Sequence, residues 1–448
     1  MKLAAPAGLS RSVGLLGVVT LGAGTAIGVS IFSVLQPAAQ LAGSGLLVGI
    51  AIAALPMVLF AIAYAYLGSA LPVSGASYDW PRMFIHPFAG FAIAWLRIVS
   101  NVGALTVLSL VLVKYAGMVV ALPLKTTMAV TITLVFALNY RGVRLAAGVQ
   151  SLLMGLLLIV LAAFVILGAP RVESANIGTL LAPGWLAIAA SIPLLTSLFL
   201  GIESAADIGE EIRDPQRNLP LGIALATVLT TIVYGAVAWV ALGMVGPERL
   251  AASDAPLLEA ARLPFGAWAM PLIAGAATVS ILKSMNAAAL VFTRSLYAMG
   301  RSGVLPASFA RIHPRFGTPH VAVLAGYAAA MSGLLLPSTL VFLLLAVNIP
   351  TMLKYFACSL SAVRVAERHP EIHARSRLRL SPGMVRVIGW TAACCALAVG
   401  ALGINADWRP YALIAGWFVV GLVYWIWWRP AALGVSAARI SSRARPRC

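Results

Sequence analysis

Residues 21–34 read LGAGTAIGVSIFSV, with three glycines inside seven positions of an apolar run, and the reading of this stretch decides the fold. In a soluble protein, a glycine-rich turn that opens a helix signals a dinucleotide phosphate loop, G-x-G-x-x-G after a strand. The spacing here is Gly22-x-Gly24-x-x-x-Gly28. No acidic residue stands about 20 positions later to hold a ribose. The nucleotide reading fails on both counts, so the question becomes what this backbone approaches, and in what solvent.

Composition answers the second part. The chain has 448 residues, 61% of them hydrophobic and 10% charged, with a mean hydropathy of +0.97; soluble domains carry roughly 25% charged residues. Stretches long enough to cross about 30 Å of hydrocarbon recur from end to end. The expectation is an all-α integral membrane protein with twelve transmembrane helices, at approximately 12–36, 44–70, 89–113, 117–139, 146–168, 185–209, 220–246, 266–293, 320–337, 339–363, 384–404 and 409–428. Residues 1–11 form an N-terminal segment and 429–448 a basic tail.

The formal charge of +18 suggests a polyanion partner until it is set against topology. With the N-terminus inside, the outside segments hold only Lys125, Arg171, Arg249, Arg262 and Arg409, and almost all other basic residues lie inside. That asymmetry follows the positive-inside rule, with both termini cytoplasmic, and removes the need for nucleic acid. Clusters at 364–386 and 439–447 attract anionic headgroups as a surface effect. Cys358, Cys394, Cys395 and Cys448 show no C-x-x-C spacing, and no metal site or cofactor is expected.

Two spans are unusual. The first carries the quoted glycines at its centre, where each costs about 1 kcal/mol against alanine in a helix. The sixth reads IPLLTSLFLGIESAADIGEEIRDPQRNLP, with Gly201 and Glu203 near mid-membrane. Small residues also serve close helix packing in lipid, and that reading stands beside a break. Recurrence of the anomaly five spans later favours breaks at Gly22, Gly24, Gly28 and Gly201. Two five-helix units, 12–168 and 185–363, then form an inverted repeat, with 384–428 added.

Unwound backbone at membrane depth is tolerated only where it lines a cavity or is buried in protein. A break near Gly24–Gly28 leaves N–H groups at Ile27, Gly28, Val29 and Ser30 for a carboxylate, and carbonyls around Ala23–Ala26 and Ser197–Leu200 for an ammonium. An anion end beside a cation end describes a receptor for a zwitterion, and amino acids are the commonest small ones.

The same residues resemble the amino acid–polyamine–organocation (APC) transporter superfamily. Gly24-Thr-Ala-Ile27-Gly28-Val-Ser30-Ile31-Phe32 is similar to its first-helix motif G-x-x-I-G-x-G-I-F, with Ser30 in place of the last glycine. Phe199-Leu-Gly201-Ile-Glu203, running on to Glu211, Asp214-Pro215, Arg217 and Pro220, resembles the sixth helix and its loop. LPVSGASYDW at 71–80 and RSLYAMGRSGVLP at 294–306 are weaker matches. The resemblance implies the five-plus-five inverted-repeat (LeuT-like) fold with discontinuous helices 1 and 6, amino-acid or amine substrates and alternating access. It implies that Ile27 to Ser30 take a carboxylate, that the Ala26, Ser197 and Leu200 carbonyls take an amine, and that Phe199 occludes. Ser197 stands where many relatives have a bulky aromatic, and Leu157 replaces a lysine that some proton-coupled relatives carry.

Charges inside apolar spans are expensive and point to function. Lys283 lies eleven positions before Arg294, about 16 Å along a helix and too deep for easy snorkelling. In sodium-coupled relatives this region contributes to a cation site, so the ammonium is expected either to replace the ion and couple transport to protons, or to pair permanently with carbonyls or an acid. Glu203 and Asp207, at i and i+4, are expected on one helical face with gating or structural roles. Arg97 and Lys114 are expected to snorkel, Lys354 has no evident partner, and Glu211 and Arg217 are expected in gate pairs.

The function expected is secondary active transport of an amino acid, neutral by preference, across the cytoplasmic membrane, by proton coupling or exchange and without sodium. A polyamine or cationic amino-acid exchanger remains open. A membrane enzyme would want clustered acids for a divalent metal, and few acids lie within the spans; no catalytic residue is expected.

Overall fold

The computed structural model describes residues 11–28, 30–117, 119–253, 255–335, 340–402 and 408–428. Val29 and the basic tail therefore lie outside the described residues. In place of one rod, the first apolar segment forms α1 (Leu15–Ala26), α2 (Ser30–Ser33) and α3 (Leu35–Ala42). Next come α4 (Leu46–Ala70), the short connecting helix α5 (Ala76–Phe84), α6 (Pro87–Ala116), α7 (Leu124–Arg141), α8 (Val143–Gly168) and the single turn α9 (Ser174–Ile177).

The second part runs through α10 (Trp185–Thr196), α11 (Pro215–Ala252), α12 (Pro256–Phe265), α13 (Ala269–Arg301), α14 (His320–Ser332) and α15 (Leu340–Arg368). The turn α16 (Pro370–His373) leads to α17 (Pro382–Leu402) and α18 (Arg409–Trp428). A helix lies within each expected apolar segment. Among the described residues, eight helices are long and apolar enough to cross a membrane. The connecting helices α5 and α12 were not expected. Both start where a turn residue sets the geometry, Gly75 at φ 73° before α5 and Pro256 at the first position of α12.

The exterior is apolar, with Leu134, Leu152, Ile159, Ile166, Ile232 and Val423 all exposed. A soluble bundle would put its polar face there; lipid removes that demand. Tight packing therefore marks the interior better than polarity does. α1 lies among α8, α11 and α13, while α4 packs on α10 and α11 and α6 on α13 and α15. α17 and α18 lie against α15 at the periphery. The innermost position thus goes to α1, whose Val18, Leu21, Gly22, Ala23, Gly24 and Ala26 are all buried.

Candidate functional site

α1 stops at Ala26, and Ile27 leaves the helix at φ −73°, ψ 64°. The Ile27 N–H returns to the Ala23 carbonyl at 2.7 Å, and the Gly28 N–H to the Ala26 carbonyl at 2.6 Å. The break is therefore real, but these two N–H groups are not free as expected, because the chain leaves through a tight turn that folds its donors back. α2 restarts at Ser30. Gly22 and Gly24 sit inside regular helix, not at the break. A Cβ on Gly22 would lie 2.5 Å from the Ile202 carbonyl oxygen and one on Gly24 2.4 Å from Gln150 Nε2, so both are there for close packing.

The second break follows α10. A 3₁₀ turn, Ser197–Phe199, leads to extended Leu200 (φ −62°, ψ 126°) and then to Gly201 at φ 99°, a conformation that glycine adopts without strain. A Cβ on Gly201 would lie 2.3 Å from Thr25 Cγ2, so the two breaks face each other at contact distance. The Ser30 hydroxyl donates to the Ser197 carbonyl at 3.4 Å. Tyr234 of α11 bridges the pair: its hydroxyl donates to the Ala26 carbonyl at 2.5 Å, and its ring meets buried Phe199 edge-on at 6.0 Å.

What the backbone of the first break approaches is Lys283. Fully buried on α13, its ammonium donates to the Gly24 carbonyl at 2.5 Å and to the Ile27 carbonyl. The same two oxygens accept from Ser284 Oγ at 3.3 Å and Ser280 Oγ at 3.0 Å, respectively. Helix-terminal carbonyls carry partial negative charge, which the Lys283 ammonium meets directly. No carboxylate pairs with Lys283 among the described residues. Beside it a polar chain runs from Asn139 Nδ2 to Asn286 Oδ1 at 3.0 Å and from Asn286 Nδ2 to Gln150 Oε1 at 3.2 Å.

Beyond Gly201 the chain does not resume an α-helix. It forms 3₁₀ turns at Ser204–Asp207 and Gly209–Glu211, which corrects the expectation that Glu203 and Asp207 share a helical face. The two carboxylates go to different neighbours. Glu203 pairs with Lys354 and accepts from Tyr355 Oη at 2.8 Å, which supplies the partner that Lys354 lacked. Asp207 accepts from the Ser77 N–H at 2.8 Å and lies 3.5 Å from Arg97. Arg97 is therefore buried and paired and does not snorkel, while Lys114 is exposed as expected.

One end of the bundle is tied shut around this segment. Glu211 forms a two-pronged pair with Arg294 at 2.7 and 3.1 Å, both side chains fully buried, while Arg217 is exposed. The Glu211 carbonyl also accepts the N–H groups of Ser12 and Val13 at 3.0 Å. Arg301 spans Glu210 at 2.6 Å and Asp79 at 2.9 Å, and Arg82 adds a 3.0 Å contact to Asp79. Tyr234, Tyr355 and Gln150 went unnoticed in the sequence. Their only signal is a hydrogen-bonding group in an apolar span, shared with many residues that bond merely to their own helix.

The chain matches the family described as "Amino acid permease" over residues 13–420. It is 36% identical to an uncharacterized transporter of Mycobacterium tuberculosis over 70% of this chain and 71% of that one. It is 28% identical to the methylthioribose transporter of Bacillus subtilis, covering 95% of each chain, and 26% identical to that organism's branched-chain amino acid permease, covering 93% and 92%. Facing helix breaks in an apolar bundle and a family match over nearly the whole length lead to one conclusion: the chain belongs to the amino acid permease family of the APC superfamily, multi-pass membrane transporters of small molecules.

Proposed function

We propose that this protein is a secondary active transporter of a net-neutral amino acid in the cytoplasmic membrane, with twelve spans in two inverted five-helix units, both termini cytoplasmic and transport coupled to protons. The observation that carries the reading is Lys283 on the Gly24 and Ile27 carbonyls between the two breaks. The ammonium occupies the place where a free cation would otherwise link α13 to α1, so sodium has no role. Loss of its proton removes the charge that holds those carbonyls, and α1 is freed to move against α13. Proton release and movement of the broken helix are then one event.

The substrate carboxylate is assigned to Ser30 at the start of α2, and its amine to the Ser197 and Leu200 carbonyls. The Ala26 carbonyl is held by Tyr234 at 2.5 Å, whereas the Ser30 hydroxyl meets the Ser197 carbonyl only at 3.4 Å, a contact the substrate would replace. A second positive charge on the substrate would want a carboxylate at the break. Both candidates are committed, Glu203 to Lys354 and Asp207 to Ser77 and Arg97, which disfavours cationic amino acids and polyamines. The relatives' names span both classes, branched-chain amino acids and methylthioribose on one side and cationic amino acids and putrescine on the other, so the preference rests on the committed carboxylates.

The test is uptake by the purified full chain in liposomes, with the twenty amino acids and putrescine offered under a proton gradient and then a sodium gradient. Uptake of neutral amino acids, driven by protons and indifferent to sodium, is expected. Lys283→Ala is expected to lose the response to the pH gradient. Transport confined to amines would overturn the substrate reading, and an unchanged proton response in the variant would overturn the coupling.

A further inference from the structure

At the corner where α7 turns into α8, away from the helix breaks, lies a groove of about 550 Å³. Arg141, Arg144, Leu145, Gly148, Leu152 and Phe316 line it. At the closed end of the bundle Arg82, Arg294 and Arg301 are held by carboxylates. Arg141 and Arg144 are exposed and, among the described residues, make no ion pair or side-chain hydrogen bond. A third cation, Arg315, lies 5.5 Å above the ring of Phe316, which lines the groove.

The wall continues onto the lipid-facing side of α8. Leu145, Leu152, Leu156 and Ile159 are all exposed there. Gly148 deepens the trough, since a Cβ built on it would meet nothing within 4 Å. Unpaired cations above an apolar channel that opens sideways match one kind of occupant. A free anion has no use for the channel, and a zwitterionic lipid gains little from the cations.

We propose that this groove binds one anionic phospholipid, its phosphate at Arg141 and Arg144 and an acyl chain along Leu145, Gly148 and Leu152. The site is separate from the helix breaks, so it stands whichever solute the transporter carries. Basic pockets at the membrane surface recognise such headgroups, each cation strengthening the attraction roughly fivefold.

The experiment is native mass spectrometry of the full chain released from nanodiscs of mixed phosphatidylglycerol and phosphatidylcholine. Wild type is expected to retain one phosphatidylglycerol in preference to phosphatidylcholine. Arg141→Gln with Arg144→Gln is expected to weaken that retention about 25-fold, the product of two fivefold losses. Gly148→Leu places a Cβ clear of other atoms within 4 Å, adds bulk to the trough and favours helix, so it is expected to lower retention of both lipids at this site. Equal retention of the two lipids by wild type, or undiminished phosphatidylglycerol in the double variant, would overturn the proposal. Displacement by glycerol phosphate alone would overturn it in favour of a free-anion site. Loss of a wild-type dimer in Gly148→Leu would overturn it in favour of a second copy of the chain.

Discussion

Glu203 and Lys354 form an ion pair that is 2% and 3% exposed, beside the break at Gly201 and inside the apolar bundle. Removing one member of such a pair strands a charge that lipid and protein cannot solvate, which costs about 3–5 kcal/mol. The two single losses are not equivalent. In Lys354→Met, the Glu203 carboxylate keeps the Tyr355 hydroxyl at 2.8 Å and a backbone N–H but no cation. In Glu203→Gln, the ammonium still sits 4.3 Å above the Tyr355 ring and 5.6 Å above the Tyr64 ring. Those rings return about 1–2 kcal/mol.

Lys354→Met is therefore expected to lose about 3–5 kcal/mol and Glu203→Gln about 1 kcal/mol less, while the double variant, with no charge left to strand, loses about 2 kcal/mol or less. The coupling in the cycle is then about 3 kcal/mol or more. Unfolding in mixed micelles by rising dodecyl sulfate, followed through the 11 tryptophans, measures it. If the single losses add up to the double loss within about 0.5 kcal/mol, the pair does not act as a unit and the reasoning fails.

Two further expectations use the same stability assay. Gly201→Ala combines a φ of 99° with a Cβ 2.3 Å from Thr25 Cγ2, so it is expected to cost more than about 2 kcal/mol, and adding Thr25→Ser, which deletes that methyl, is expected to recover part of it. No recovery would place the cost elsewhere. Glu211→Gln strands the fully buried Arg294 and is expected to lose about 3 kcal/mol or more; Glu259→Gln breaks the exposed pair with Arg262, which is 62% exposed, and is expected to change stability by less than about 1 kcal/mol. Similar losses from both would refute burial as the deciding factor.

Much of the site was legible because its chemistry depends on unusual residues in a monotonous background. Gly28 and Gly201 mark the breaks, and Lys283 stood out as a charge too deep to reach water. Gly22 and Gly24 were misread as breaks, since a glycine needed for a close neighbour and one needed for a turn are the same letter. Which applies depends on Ile202 and Gln150, far off in the chain. Glu203 and Asp207 were placed on one face by assuming that a helix resumes after Gly201. The chain instead takes 3₁₀ turns, with its backbone held by Val73 and Gly75 through the Gly209 N–H and the Asp207 carbonyl.

The sequence alone determined the solvent, the class of fold and the two places where helices give way, because a bilayer punishes charge and open backbone so strongly that any exception shows in composition. Only the tertiary structure decided who holds whom: Lys283 on the carbonyls of α1, Lys354 on Glu203, Arg97 on Asp207 and Arg294 on Glu211. Each pair joins residues remote in the chain, and a charge buried in lipid is satisfied by any opposite charge within reach. Its need is therefore local and readable, whereas the identity of its partner follows from how the helices pack.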